Sequence, residues 1–333
     1  MSAIRIDALT KDYAVGFWRP RPYRALDSLT LDIEQGEVFG FLGPNGAGKT
    51  TTLKLLMQLI YPTSGRAEIL GHPVGHVATR RRIGYLPENP YFYDNLTAEE
   101  LLAYFAQLFG YHGQERTRRV AALLDRVGVG AERRLRLRKF SKGMIQRVGI
   151  AQALLNDPAV IFLDEPMSGL DPLGRRDVRQ LILELRDQGR TVFFSSHILA
   201  DAEVLCRRVA IVAAGRLAAA GKLSEILAFQ ARGWELVVAD VAPHVLQGVS
   251  AAATRVTEIS AGRFALELPL SQAPERVLAN IVAAGGRLVS LNPLRDTLED
   301  FFVRQVAGKQ RPDRRSLDEA RRAKSGEGGE AQA

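Results

Sequence analysis

The chain holds a single cysteine, Cys206, among its 333 residues. An intrachain disulfide is thereby excluded, and a reducing compartment fits. Long apolar runs are missing too. Stretches such as 151–155 and 209–215 fall far short of the ~20 residues a bilayer span needs, and Arg or polar residues interrupt them. No signal peptide opens the sequence, where Arg5 and Asp7 break the first apolar residues. A soluble subunit is expected, and any membrane pore belongs to another polypeptide. No internal repeat is present. Nor is the charge gathered into one patch. The net charge is +8, yet the basic residues are scattered as Arg80–Arg82, Arg133–Lys139, Arg175–Arg176 and Arg207–Arg208. These read as solvated faces, with proximity to an anionic membrane as a second cause, and no specific nucleic acid is expected.

Residues 43–50 read Gly-Pro-Asn-Gly-Ala-Gly-Lys-Thr. The run before them, 37–42, is apolar and suits a buried strand. The run after Lys49, as far as Ile60, has helical spacing of apolar positions. A glycine loop between strand and helix is the context a phosphate loop requires. Gly43, Gly46 and Gly48 let backbone N–H groups turn inward around anionic oxygens, and the helix adds its positive N-terminal end. Pro44, Asn45, Ala47 and Thr51 complete the candidate nucleotide-binding segment. Lys49 is expected to reach the β- and γ-phosphates. The Thr50 hydroxyl is expected to bind Mg²⁺.

Residues 159–163 form a second apolar strand, closed by Asp164 and Glu165. Adjacent carboxylates at a strand end are costly to bury without partners. A metal and an attacking water would supply them. Asp164 is the candidate Mg²⁺ ligand, and Glu165 the candidate base or positioner of the water that attacks a γ-phosphate.

The ordered set of motifs resembles the ATP-binding subunits of ABC transporters over roughly residues 4–228. That set is Tyr13, residues 43–51, Glu88, the segment from Ser141 to Arg147 (Ser-Lys-Gly-Met-Ile-Gln-Arg), Asp164-Glu165, Ser168-Gly169-Leu170-Asp171, and His197. The resemblance implies ATP and Mg²⁺ as ligands and ATP hydrolysis as the activity. Tyr13 is implied to stack on adenine. Ser141 and Gly143, with Lys142 and Met144 between and after them, are implied to contact the γ-phosphate of ATP held by an opposite subunit. Asp171 is implied to link the two sites of a homodimer. His197 is implied to hold the γ-phosphate or the water, and Glu88 to bind Mg²⁺ or its water. Two departures stand out: Glu88 where the family usually has Gln, and Phe-Ser-Lys-Gly-Met where it usually has Leu-Ser-Gly-Gly-Gln. Both resemble a subclass of exporter ATPases that serve a separate transmembrane permease, often for drugs, polysaccharides or sodium. The location implied is the cytoplasmic face of the cell membrane. The alternative is a soluble ATPase of this family acting on ribosomes or nucleic acid. It usually shows two cassettes or a long coiled coil, and this chain has neither.

The fold class expected is α/β: a P-loop ATPase domain with antiparallel β and helical subdomains, plus a small C-terminal α+β module. The ATPase domain is placed at 1–228, with its helical subdomain at about 89–158. Residues 16–24, rich in Pro, Arg and aromatics, read as an exposed loop inserted between two strands. Leu96 to Glu100 reads as a capped helix start. Residues 89–95, with Tyr91, Phe92 and Tyr93, are placed near a permease contact. Residues 229–306 alternate as β-α-β-β-α-β, resembling a ferredoxin-like module suited to dimer support or regulation. A closing helix is expected from Thr297, and a disordered tail at 307–333.

Overall fold

The computed structural model describes residues 1–16, 21–226 and 231–295. Two strands of 14 residues open the chain, β1 (Ser2–Val15) and β2 (Arg21–Glu34), paired antiparallel. Next come β3 (Val38–Leu42), α1 (Lys49–Leu56), β4 (Ser64–Ile69), β5 (His72–Pro73), α2 (Val77–Arg80) and β6 (Ile83–Leu86). A helical stretch follows, with α3 (Ala98–Leu108), α4 (Gly113–Arg126) and α5 (Lys142–Ala153). The chain returns through β7 (Val160–Asp164), α6 (Pro172–Asp187), β8 (Thr191–Ser196), α7 (Leu199–Leu205), β9 (Arg208–Ala213), β10 (Arg216–Lys222) and α8 (Leu223–Ile226). These elements form one unit, Met1–Ile226, and a second unit begins at Leu227.

The first unit has two sheets. One is antiparallel, ordered β2-β1-β4-β5. The other is ordered β10-β9-β3-β8-β7-β6 and is parallel except at its β10 edge. Strands β3, β7 and β8 are buried at every residue. That explains why they read as continuous apolar runs and not as alternating ones. Phe193 of β8 lies between Phe39 of β3 and Phe162 of β7 in the register, with ring centroids 5.9 and 5.7 Å away, and Phe41 at 5.3 Å. Each such pair contributes about 0.5–1.5 kcal/mol beyond its area burial. This aromatic row fixes three strands whose C-terminal ends carry the site.

The helix starts follow their caps. Thr97 and Glu100 form the reciprocal capping box at α3. Ser141 caps α5, and Asp171 caps α6 ahead of Pro172.

Two expectations need correction. Helix α1 ends at Leu56 and not near Ile60, because Gln58 takes φ +53°, which a right-handed helix cannot carry. The inserted segment is not wholly a loop. Strand β2 already begins at Arg21, where Val15 pairs with Arg21, Ala14 with Pro22 and Tyr13 with Tyr23. Pro22 is tolerated because β2 is a sheet edge and needs no further N–H donor there. Phe17 and Trp18 lie outside the described residues.

The second unit runs β11 (Ala231–Ala239), α9 (Pro243–Ser250), β12 (Arg255–Ser260), β13 (Arg263–Pro269), α10 (Pro274–Ala283) and β14 (Arg287–Arg295). Its sheet order, β12-β13-β11-β14, is antiparallel throughout, which is the ferredoxin-like arrangement. Leu236, Val238, Leu266, Leu268, Val277 and Ile281 form its own core. The closing helix from Thr297 and the tail at 307–333 lie outside the described residues.

Candidate active site

Strand β8 lies between β3 and β7, so three strand ends meet side by side. Leu42 pairs with Ser196, and Asp164 with Ser195. The chain therefore leaves each strand at the same level, which brings the glycine loop, the carboxylate pair and His197 together. Two further bonds hold this edge. Gly43 N–H donates to the Ser196 carbonyl at 3.2 Å, and Glu165 N–H to the Ser195 carbonyl at 3.2 Å.

The loop depends on glycine at three positions, and at the first, Gly43, a Cβ would collide with the Val212 carbonyl of β9. Gly48 has φ +103°, and a Cβ there would lie 2.7 Å from the Ala25 carbonyl of β2. Gly46 has φ +79° and faces open space. The Lys49 ammonium is buried. It donates to the Gly43 carbonyl at 2.7 Å and the Pro44 carbonyl at 3.3 Å, and lies 3.2 Å from Glu165 Oε1. That last pair is close enough for charge attraction but misses hydrogen-bond alignment, since Oε1 has no hydrogen-bond partner among the described residues. The other oxygen, Oε2, meets His197 Nδ1 at 2.9 Å. Glu165 thus joins the loop lysine to the strand-end histidine. It does so from φ +49°, a left-handed conformation that costs a non-glycine residue about 1–3 kcal/mol and is concentrated at functional sites.

Asp164 is fully buried. Burial pushes its carboxyl above the usual carboxylate range, and hydrogen bonding from Ser195 and Thr50 acts against that rise. The Ser195 hydroxyl donates to Oδ1. The Thr50 hydroxyl faces this carboxyl, yet the other oxygen, Oδ2, completes no hydrogen bond among the described residues. A buried, unpartnered carboxylate oxygen beside a threonine hydroxyl suits a small hard cation that brings water and phosphate oxygens as its remaining ligands.

A cavity of about 320 Å³ opens over the loop. Pro44, Asn45, Gly46, Gly48, Lys49, Thr50 and Thr51 form one wall, and Tyr13, Tyr23, Ala25, Glu88 and Glu165 form the rest. Ala47, in the same loop, is buried beneath it. Sequence reasoning missed Tyr23, because its strand was read as a loop. It also missed Ser195, whose only signal was its place two residues before His197.

The signature residues are elsewhere. Ser141, Lys142, Gly143, Met144 and Asp171 are absent from the cavity's lining. Ser141 and Lys142 are exposed at the start of α5. Ser141 Oγ accepts from Met144 N–H at 3.2 Å. This segment packs against the Gly169–Asp171 turn. Gly169, at φ +72°, leaves room for the Lys142 methylenes, and Leu170 covers Gly143. Asp171 accepts from Gly174 N–H at 2.9 Å to start α6. Signature and turn therefore form one surface outside their own protomer's cavity.

A glycine loop cradled at the end of a parallel sheet, facing a strand-end carboxylate pair across one strand, defines a P-loop ATPase. Comparison with known proteins narrows the class. A family model described as ABC transporter matches residues 26–168. The chain is 46% identical over 300 residues to the ABC transporter ATP-binding protein sll0415 of Synechocystis sp., covering 90% of this chain and 83% of that one. It is 44% identical to the bacitracin transport ATP-binding protein BcrA of Bacillus licheniformis, covering 58% of this chain and 63% of that one. A solved ATP-binding subunit of an ABC transporter superposes with a TM-score of 0.60 at 33% identity, covering 68% of this chain and 92% of that one. The dimeric cassette MJ0796, solved with ADP and Pi in a post-hydrolysis state, gives 0.61 at 28% identity, covering 66% of this chain and 98% of that one. The chain belongs to the ATP-binding proteins of ABC transporters, and its activity is ATP hydrolysis.

Proposed function

We propose that this chain works as a pair of identical subunits at the cytoplasmic face of the membrane, where it powers export through a separate transmembrane permease. One observation carries the reading. The signature surface is exposed and stands apart from the cavity over its own glycine loop. A second protomer arranged head to tail would bring its Ser141 and Gly143, at the positive end of α5, to that cavity. The solved dimeric cassette among its relatives supports pairing. Relatives named for bacitracin transport and Nod factor export support the exporter assignment.

In this reading Tyr13 stacks on the base, and the loop N–H groups and Lys49 hold the phosphates. Asp164, Thr50 and Glu88 would hold Mg²⁺, which would supply charge neutralisation to the bound nucleotide. Glu165 orients the attacking water and takes its proton. His197 fixes Glu165 through their 2.9 Å contact and turns toward the γ-phosphate. Asp171, at the start of α6, carries the contact from one site to the other.

Mixing two inactive variants tests the composite site. Lys49→Ala removes the phosphate-binding lysine, and Ser141→Arg blocks the signature surface. Each alone is expected to lack turnover. In a mixed dimer one of the two sites regains both groups, so an equal mixture should recover about a quarter of parental phosphate release by random pairing. No recovery, with mixed dimers verified by two affinity tags, would rule out the composite site.

A further inference from the structure

We infer that Tyr23 is a second base-binding aromatic, and that the purine of ATP rests on a two-tyrosine platform. The inference rests on the ATP-binding reading above and extends it to a residue outside the family motifs. Tyr23 and Tyr13 are direct cross-strand partners in the β1–β2 hairpin. Directly opposed residues project to the same face of a sheet, with Cβ atoms about 4.5–5.5 Å apart. Both side chains line the cavity over the glycine loop. An adenine is broader than one phenol ring, and every base presents a flat π-face that stacks without needing a particular edge.

Three features hold Tyr23 in place. The neighbouring register pair is Asp12 with Arg24, and the Arg24 guanidinium grips both Asp12 oxygens, at 2.9 and 3.1 Å. Arg24 also reaches Asp27, which receives Arg216 from β10 at 2.7 Å. Two residues along β2, the Ala25 carbonyl approaches so close to Gly48 that a Cβ there would lie 2.7 Å away. The strand that carries Tyr23 is thus seated against the phosphate loop itself. Tyr13 sits one strand over, with the Lys11 ammonium 5.2 Å from its ring centroid. Lys11 is itself tied to the Tyr61 carbonyl at 2.7 Å. Tyr23 has no such cation over it among the described residues, and the residue is 54% exposed. An exposed tyrosine facing a nucleotide cavity is an open stacking surface, not a core residue.

The test separates base from phosphate. The full chain is titrated calorimetrically with ATP and with inorganic tripolyphosphate, in the parent, Tyr23→Leu and Tyr23→Phe. Losing one stacking ring should weaken ATP binding roughly tenfold in Tyr23→Leu and leave tripolyphosphate within about twofold. Tyr23→Phe keeps the ring and should stay within about twofold for both ligands. Unchanged ATP affinity in Tyr23→Leu would overturn the inference. An equal loss for ATP and tripolyphosphate would also overturn it, since that result marks damage to the loop. A parent chain that binds tripolyphosphate but no ATP would instead remove the ATP-binding reading.

Discussion

Glu165 is held by more of the site than any other residue. Its N–H reaches both the carbonyl and the hydroxyl of Ser195 at 3.2 Å. Its two carboxylate oxygens meet Lys49 and His197. Its backbone stays in a left-handed conformation because these contacts together outweigh the strain. Strain of this kind is concentrated at functional sites, which agrees with the proposed role of Glu165 at the attacking water. Glu165→Gln keeps the shape and removes the charge and, in the proposed mechanism, the base. Phosphate release is expected to fall by about 10²–10⁴-fold, while ATP affinity stays near the parental value. Size exclusion in ATP should show a persistent dimer, because the bound γ-phosphate is no longer cleaved. Parental phosphate release by this variant would remove Glu165 from its role.

Between elements, a buried carboxylate, Asp201, ties α7 to α6. It sits on α7, four residues after His197, and Arg179 of α6 reaches it at 3.5 Å. Asp201 is buried, and its Oδ2 has no hydrogen-bond partner among the described residues. Burial pushes its carboxyl above the ordinary 3.8, with Arg179 and Arg175 acting against the rise. The folded protein therefore holds this proton more tightly than the unfolded chain does. Folding stability from this group is greatest below 3.8 and is lost as pH rises through the raised value. Asp201→Asn removes that dependence. In urea unfolding at about pH 4.5 and about pH 7.5, the stability difference between variant and parent should move in the variant's favour at the higher pH. A difference that stays constant across this interval would show that the buried carboxylate carries no such cost.

At this same scale it becomes clear what a sequence can carry. The glycine loop and the Asp164-Glu165 strand end were legible because each announces itself locally, through conformational freedom or an abrupt change from apolar to acidic. The Thr97–Glu100 cap was legible for the same reason, since both partners lie within four residues. Ser195 was not, because its bonds to Asp164 and Glu165 exist only once β8 lies beside β7. Tyr23 was hidden by a Pro- and Arg-rich segment that reads as a loop, until pairing with β1 makes it a strand. The end of α1 was misjudged because the apolar spacing continues past Gln58, whose backbone turns against it.

For the whole molecule, each unit holds its own apolar core. Ile4, Leu29, Phe41, Leu53, Phe162 and Phe193 belong to the first, and Leu236, Leu266 and Ile281 to the second. No described helix is long and apolar enough to cross a membrane. Every group placed at the candidate site lies in the unit Met1–Ile226. A chain ending at Ile226 should therefore fold cooperatively and bind ATP within about twofold of the full-length affinity, because it keeps its core and every candidate ligand. Calorimetric titration beside a thermal unfolding scan checks both points. If affinity is kept but phosphate release falls steeply at low protein concentration and recovers at high concentration, the second unit supports pairing. If affinity itself drops tenfold or more, the ferredoxin-like unit acts on the nucleotide site, and the independence argued from the two cores is wrong.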